Sequence, residues 1–150
     1  MEEFDSDNEI IEFAIASEIE AFQFYTALAE RMQTSGKQEI FEELAKEELA
    51  HKAKLELELV KLGHVANMED ISEITVADYD LSNEFEFDME YKDILVLAME
   101  KEEMAFKQYV DLAAGIHDEG SRNTLLTLAE EEVKHKLRFE YEYNALFKTH

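Results

Sequence analysis

The stretch LAKEELAHK, Leu44 to Lys52, returns as LAEEEVKHK, Leu128 to Lys136, and the second copy decides how the first is read. Alone, the first is an ordinary charged helix. Glutamate makes up 28 of the 150 residues, so a histidine with glutamate three places before it arises by chance about one time in five. Two such pairs in register are a different matter. Both belong to a repeat that runs without a gap at a constant offset of 84 residues. Ala14 falls on Ala98, Glu18 on Glu102, Ala21 on Ala105, Phe22 on Phe106, Tyr25 on Tyr109 and Gly36 on Gly120. Self-similarity of this kind marks a duplicated structural unit.

Each copy holds two helical patterns separated by a turn signal, TSGK in the first and DEGS in the second. There Gly36 and Gly120 are expected to end a helix at positive φ. The spacing predicts four helices, at about 8–34, 37–63, 90–117 and 121–147. Residues 64–89 lack sustained helical periodicity and are too many for a tight turn, so they are expected to form a long crossover between the hairpins. The expected architecture is therefore all-α: one domain over 1–150, a four-helix bundle made of two duplicated helical hairpins.

Composition narrows the function classes. Proline is absent and glycine scarce at four residues, which suits long uninterrupted helices. The net charge of -23 repels nucleic acid and anionic membrane surfaces and attracts cations. No run approaches the roughly 20 apolar residues of a membrane span. The absence of cysteine excludes thiolate-held zinc, iron–sulfur or rubredoxin-type iron within this chain and is compatible with a cytoplasmic setting.

The apolar faces carry the decisive signal. The stripe Ile11, Ala14, Ile15, Ala21, Phe22, Tyr25, Leu28, Ala29, Met32 is interrupted by Glu18. Phe41, Leu44, Leu55, Leu59, Leu62 is interrupted by Glu48 and His51. In the second copy, Glu102 breaks the stripe from Leu95 to Ile116, and Glu132 with His135 breaks the one from Leu125 to Leu146. Burying a lone carboxylate costs several kcal/mol, and four gathered together also repel one another. Two divalent cations balance four glutamates, and two neutral imidazoles complete a shell that suits iron or manganese, with zinc as a substitute. Tyr25 and Tyr109 follow Glu18 and Glu102 by two turns on the same face. Each is either a core aromatic or a hydroxyl that steadies a carboxylate or relays an electron. His64, His117 and His150 lack such context.

These motifs resemble the ferritin-like di-iron carboxylate proteins, and among them the rubrerythrins. The resemblance rests on E-x6-Y at Glu18/Tyr25 and Glu102/Tyr109 and E-x-x-H at Glu48/His51 and Glu132/His135. It implies two iron ions per chain, with Glu18 and Glu102 as terminal ligands, Glu48 and Glu132 bridging, and His51 and His135 each holding one ion. Two departures stand out. Many rubrerythrins carry a four-cysteine rubredoxin-like domain, so here electrons are expected from a separate donor such as a rubredoxin-type protein. Ala105 stands where rubrerythrins place a further glutamate.

The function expected is a di-iron oxidoreductase that reduces hydrogen peroxide or O2, in defence against oxidative stress. One alternative is a ferroxidase that handles or stores iron; another is a helical interaction module with a structural metal. A homodimer is the expected assembly, as long bundles with an extended crossover commonly pair.

Overall fold

A computed structural model describes residues 4–63 and 90–147. Among them lie four long helices: α1 Asp7–Arg31, α2 Glu39–Lys61, α3 Tyr91–Gly115 and α4 Glu119–Phe147, with a 3₁₀ turn at Gln33–Ser35. The described residues contain no strand, and none of their helices is long and apolar enough to cross a membrane. The crossover expected at 64–89 lies outside the described residues. The chain divides into two compact units, Met1–Leu81 and Ser82–His150. In the first, α1 packs on α2; in the second, α3 packs on α4.

Local chemistry accounts for the helix ends of the first unit. The Ser6 hydroxyl accepts from the backbone N–H of Glu9 at 3.3 Å, and the Glu9 carboxylate accepts from the N–H of Asp5 at 2.9 Å, so two donors are satisfied reciprocally. After α1 the chain closes through Gly36, at φ 72°. The N–H of Lys37 donates to the carbonyl of Met32 and that of Gly36 to the carbonyl of Gln33. This pair of bonds is a Schellman closure, and it needs the left-handed residue that glycine supplies. Gly63, at φ 81°, follows the end of α2.

The second unit turns by different means, and here one expectation fails. Gly120 does not end a helix at positive φ; it lies in the first turn of α4. The chain leaves α3 through Ile116 in extended conformation. The Arg122 guanidinium donates to the carbonyls of Ala113 and Ile116, satisfying acceptors that a left-handed glycine would otherwise help to close. Asp118 then caps α4, its carboxylate accepting from the N–H of Ser121 at 2.8 Å. With Arg122 and Asp118 in place, no glycine is required to turn the chain.

The helix faces follow the apolar stripes. Ile11, Ala14, Ile15, Leu28, Phe41, Leu44, Leu55 and Leu59 are buried in the first unit, and Leu95, Ala98, Leu125, Leu128 and Phe139 in the second. The expected stripe overreaches at its end, since Leu146 is 48% exposed. At that end Tyr91 donates to Glu142 at 2.9 Å, and Phe147 packs on the rings of Tyr91 and Tyr143.

Candidate metal centre

The residues that interrupt the stripes are buried. Glu18, Glu48, Glu102, Glu132, His51 and His135 each expose 3% or less of their surface. All six sit in helix interiors, where the backbone is already paired and only the side chain is at issue. The i, i+3 spacing of Glu48 with His51, and of Glu132 with His135, brings both members of a pair to one face one turn apart. The facing helix of each unit supplies the third member.

In the first unit Nδ1 of His51 lies 3.1 Å from Oε2 of Glu18 and 3.1 Å from Oε1 of Glu48. In the second, Nδ1 of His135 lies 3.5 Å from Oε2 of Glu102 and 3.6 Å from Oε1 of Glu132. Each unit therefore builds a triad of two carboxylates converging on one imidazole nitrogen.

This donor set fits a divalent cation. A doubly acidic, nearly dry pocket around one imidazole is costly unless a positive charge enters it, whether a proton on the ring or a metal ion. Octahedral ligands at about 2.0–2.2 Å from a metal stand about 2.8–3.1 Å from their neighbours in the shell. The first triad already has that edge length. In each unit the Glu-x-x-His pair offers ligand atoms close enough to hold a common ion, Glu48 with His51 and Glu132 with His135. Oxygen and imidazole donors without sulfur favour iron, manganese or zinc over softer ions.

Tyr25 and Tyr109 are buried two turns beyond Glu18 and Glu102. Tyr25 stacks on Phe41, with ring centroids 6.4 Å apart, and meets Phe24 edge-on at 5.0 Å. That packing is the core role weighed for it; the repeat sets Gln108 and Leu125 at the corresponding places beside Tyr109.

Some polar residues escape the sequence reading. Glu58, Gln23 and Ser121 are buried. Glu58 was detectable, for it continues the line of Glu48, His51 and Leu55 by one more turn, and so was Ser121, one turn before Leu125 on the line of Leu128, Glu132 and His135; Gln23 lies off the stripe and gave no signal. Glu103, beside Glu102, forms a 2.8 Å ion pair with Lys136, beside His135. The bond to Lys136 holds the Glu103 carboxyl below its ordinary pKa, and the same bond raises that of Lys136.

The chain was compared with known proteins. No curated protein matches it significantly. A solved structure of a hypothetical protein from Pyrococcus furiosus is similar to it, at 27% identity over 93% of this chain and 89% of that one, with a TM-score of 0.62. The likeness agrees with an all-α, ferritin-like four-helix class. The sequence model of the rubrerythrin family matches residues 9–148, nearly the whole length. With its duplicated Glu-x-x-His helices and buried carboxylate–imidazole triads, the chain belongs to the rubrerythrin family.

Proposed function

We propose that this protein is a di-iron oxidoreductase that reduces hydrogen peroxide or O2, working in the cytoplasm as a homodimer with a separate electron-donor protein. The observation that supports this most is the pair of buried Glu–Glu–His triads in a rubrerythrin-family chain. Glu18 with His51 and Glu102 with His135 would hold one ion each, and Glu48 and Glu132 would serve as the bridging carboxylates. Iron held there would supply the two electrons that, with two protons, convert one hydrogen peroxide to two waters. The residues do the rest. Four carboxylates offset the charge of two divalent ions, and their bidentate capacity lets each take up a change in ionic charge by altering how many oxygens it offers. The imidazoles remain neutral donors. Burial keeps bulk water away, which strengthens every interaction inside. In this reading the phenols of Tyr25 and Tyr109, two turns beyond Glu18 and Glu102, serve to steady the terminal glutamates in addition to packing in the core.

A direct test loads the metal-free protein with Fe(II), adds peroxide and follows absorbance anaerobically. Oxidation is expected at two irons per chain and is expected to be lost in Glu48→Ala and His135→Ala. Equal rates in both variants and the parent protein would refute the assignment. The net charge of -23 favours a second reading, ferroxidation for iron handling, because it concentrates cations at the surface. Gel filtration with iron stoichiometry separates them: a large assembly retaining far more than two irons per chain indicates storage, a dimer with about two indicates the reductase.

A further inference from the structure

The helices that carry the Glu-x-x-His pairs have a second patterned face, and it is turned outward. No exposed residue of α2 from Leu49 to Lys61 is acidic, and none of α4 from Lys134 to Phe147. In a chain with 37 acidic residues among 150, that gap is not what composition leaves on an ordinary solvated face; on α1 the exposed positions include Glu9, Glu20 and Glu30. The acids within these stretches are held aside. Glu56 pairs with Lys52 at 3.1 Å, buried Glu58 lies 3.5 Å from Lys61, Glu140 lies 4.0 Å from Lys136, and Glu142 accepts from Tyr91 at 2.9 Å. The exposed apolar residues are also aligned. Leu49, Ala53, Leu57 and Val60 follow at i, i+4, i+8 and i+11, with Leu57 52% and Val60 63% exposed and Lys54 and Lys61 beside them. In the second copy Leu137 and Tyr141, 55% and 77% exposed, stand at the repeat positions of Ala53 and Leu57. Single exposed leucines are ordinary on a surface, whereas an acid-free line of them present in both copies is a patch.

We propose that these strips are the docking surface for an acidic protein whose contact patch has an apolar centre, namely the electron donor required by the reading above, on which this inference rests. An apolar line with lysines along its edge suits such a partner in both parts of its contact. On a chain of charge -23 an acidic protein is repelled elsewhere, so the strips also decide where it lands. A second copy fits less well. Antiparallel two-fold pairing of α2 with its counterpart sets like edge against like edge, Lys54 and Lys61 against the same lysines. The position suits electron delivery. Leu57 follows Glu48, and Tyr141 follows Glu132, by nine residues or two and a half turns, so each strip lies across the helix from its ligands. A donor seated there is separated from them by one helix diameter, about 10–12 Å. A mono-iron donor gives one electron as its Fe(II) becomes Fe(III), so two encounters supply the two electrons that reduce one peroxide.

The probe is a reduced rubredoxin-type protein of acidic surface. Its binding to the metal-free full-length protein is measured by calorimetry, and its reoxidation by the iron-loaded protein with peroxide by stopped-flow absorbance. Binding is expected at low salt and should weaken as salt screens the lysines. Leu57→Glu combined with Tyr141→Glu, one acid at the same position of each copy, should weaken binding about tenfold or more and slow reoxidation in proportion. Glu20→Gln on α1 should change neither by more than about twofold. A parent protein that binds no such donor, or a double variant that binds it as well as the parent, overturns the proposal. So does a double variant that turns a dimer into a monomer on gel filtration, which gives the strips to a second copy. A fall in Tm of more than about 8 °C also overturns it, by showing the strips covered by the chain itself. Binding that the double variant weakens, with no reoxidation of the donor by the parent, would overturn the reductase reading and leave the docking surface in place. Reoxidation at the same rate in parent and variant would do the reverse.

Discussion

Replacing Glu48 with glutamine should move stability in opposite directions with and without metal. Two oxygens that each lie 3.1 Å from one nitrogen are at most 6.2 Å apart, which bounds the separation of the Glu18 and Glu48 carboxylates. At an effective dielectric constant near 20, two full charges at that distance repel by roughly 2–3 kcal/mol. The neutral amide removes this repulsion but leaves a buried NH2 to be satisfied, at a cost of about 1 kcal/mol. The metal-free variant should therefore be more stable by about 1–2 kcal/mol, a rise in Tm of roughly 2–8 °C for a chain of this size. With metal the sign reverses. Glutamine is a poor ligand, and each tenfold loss of affinity removes about 1.4 kcal/mol of metal-dependent stabilisation at saturating metal. The assay is thermal unfolding of both proteins in chelator and again in excess Mn(II). A metal-free variant that is destabilised as much as the loaded one would refute the idea that the carboxylates are held against their mutual repulsion.

Three further outcomes can be checked by the same unfolding measurements. Gly36→Ala should destabilise by about 1–2 kcal/mol, because φ is 72° although space for a Cβ is open, while Gly120→Ala in α4 should be neutral or stabilise by up to about 1 kcal/mol. Arg122→Ala should cost about 1.5–3 kcal/mol through the carbonyls of Ala113 and Ile116. Burial and Glu142 raise the Tyr91 pKa, so the neutral phenol is favoured in the folded state. Its contribution is complete below the unfolded value near 10 and is lost as pH rises through the folded value, and Tyr91→Phe should flatten that alkaline loss; an unchanged profile would count against the pair.

The helices and the six candidate ligands were legible because periodicity and duplication report on the same thing, the face a side chain presents. Glu18 and Glu48 stood out as carboxylates in apolar stripes, and the burial of all four glutamates follows directly from that pattern. What was not legible depends on contacts between helices. Gly120 looked like a twin of Gly36, yet Arg122, two residues later, reaches the end of α3 and takes over the closure. The Tyr91–Glu142 bond and the Glu103–Lys136 pair join residues 51 and 33 positions apart, a separation at which no local pattern signals a partner. Leu146 kept the right period but lies at a helix end, where exposure overrides periodicity.

The turn of the first unit closes through a glycine at positive φ and runs over residues 32–38, that of the second closes through an arginine and runs over residues 116–118, yet the ligand spacing across both is the same. Thirty positions separate Glu18 from Glu48 and Glu102 from Glu132. One residue added to either turn would leave its chemistry workable but slide the following helix by about 1.5 Å and rotate it by about 100° if the first helix kept its place. That rotation carries a histidine from the interior to the flank. Each hairpin is thus a ruler as well as a bend: the composition of its turn and the share of it left outside the helices were free to change between the copies, while the number of residues from ligand to ligand is tied to the phase of the second helix.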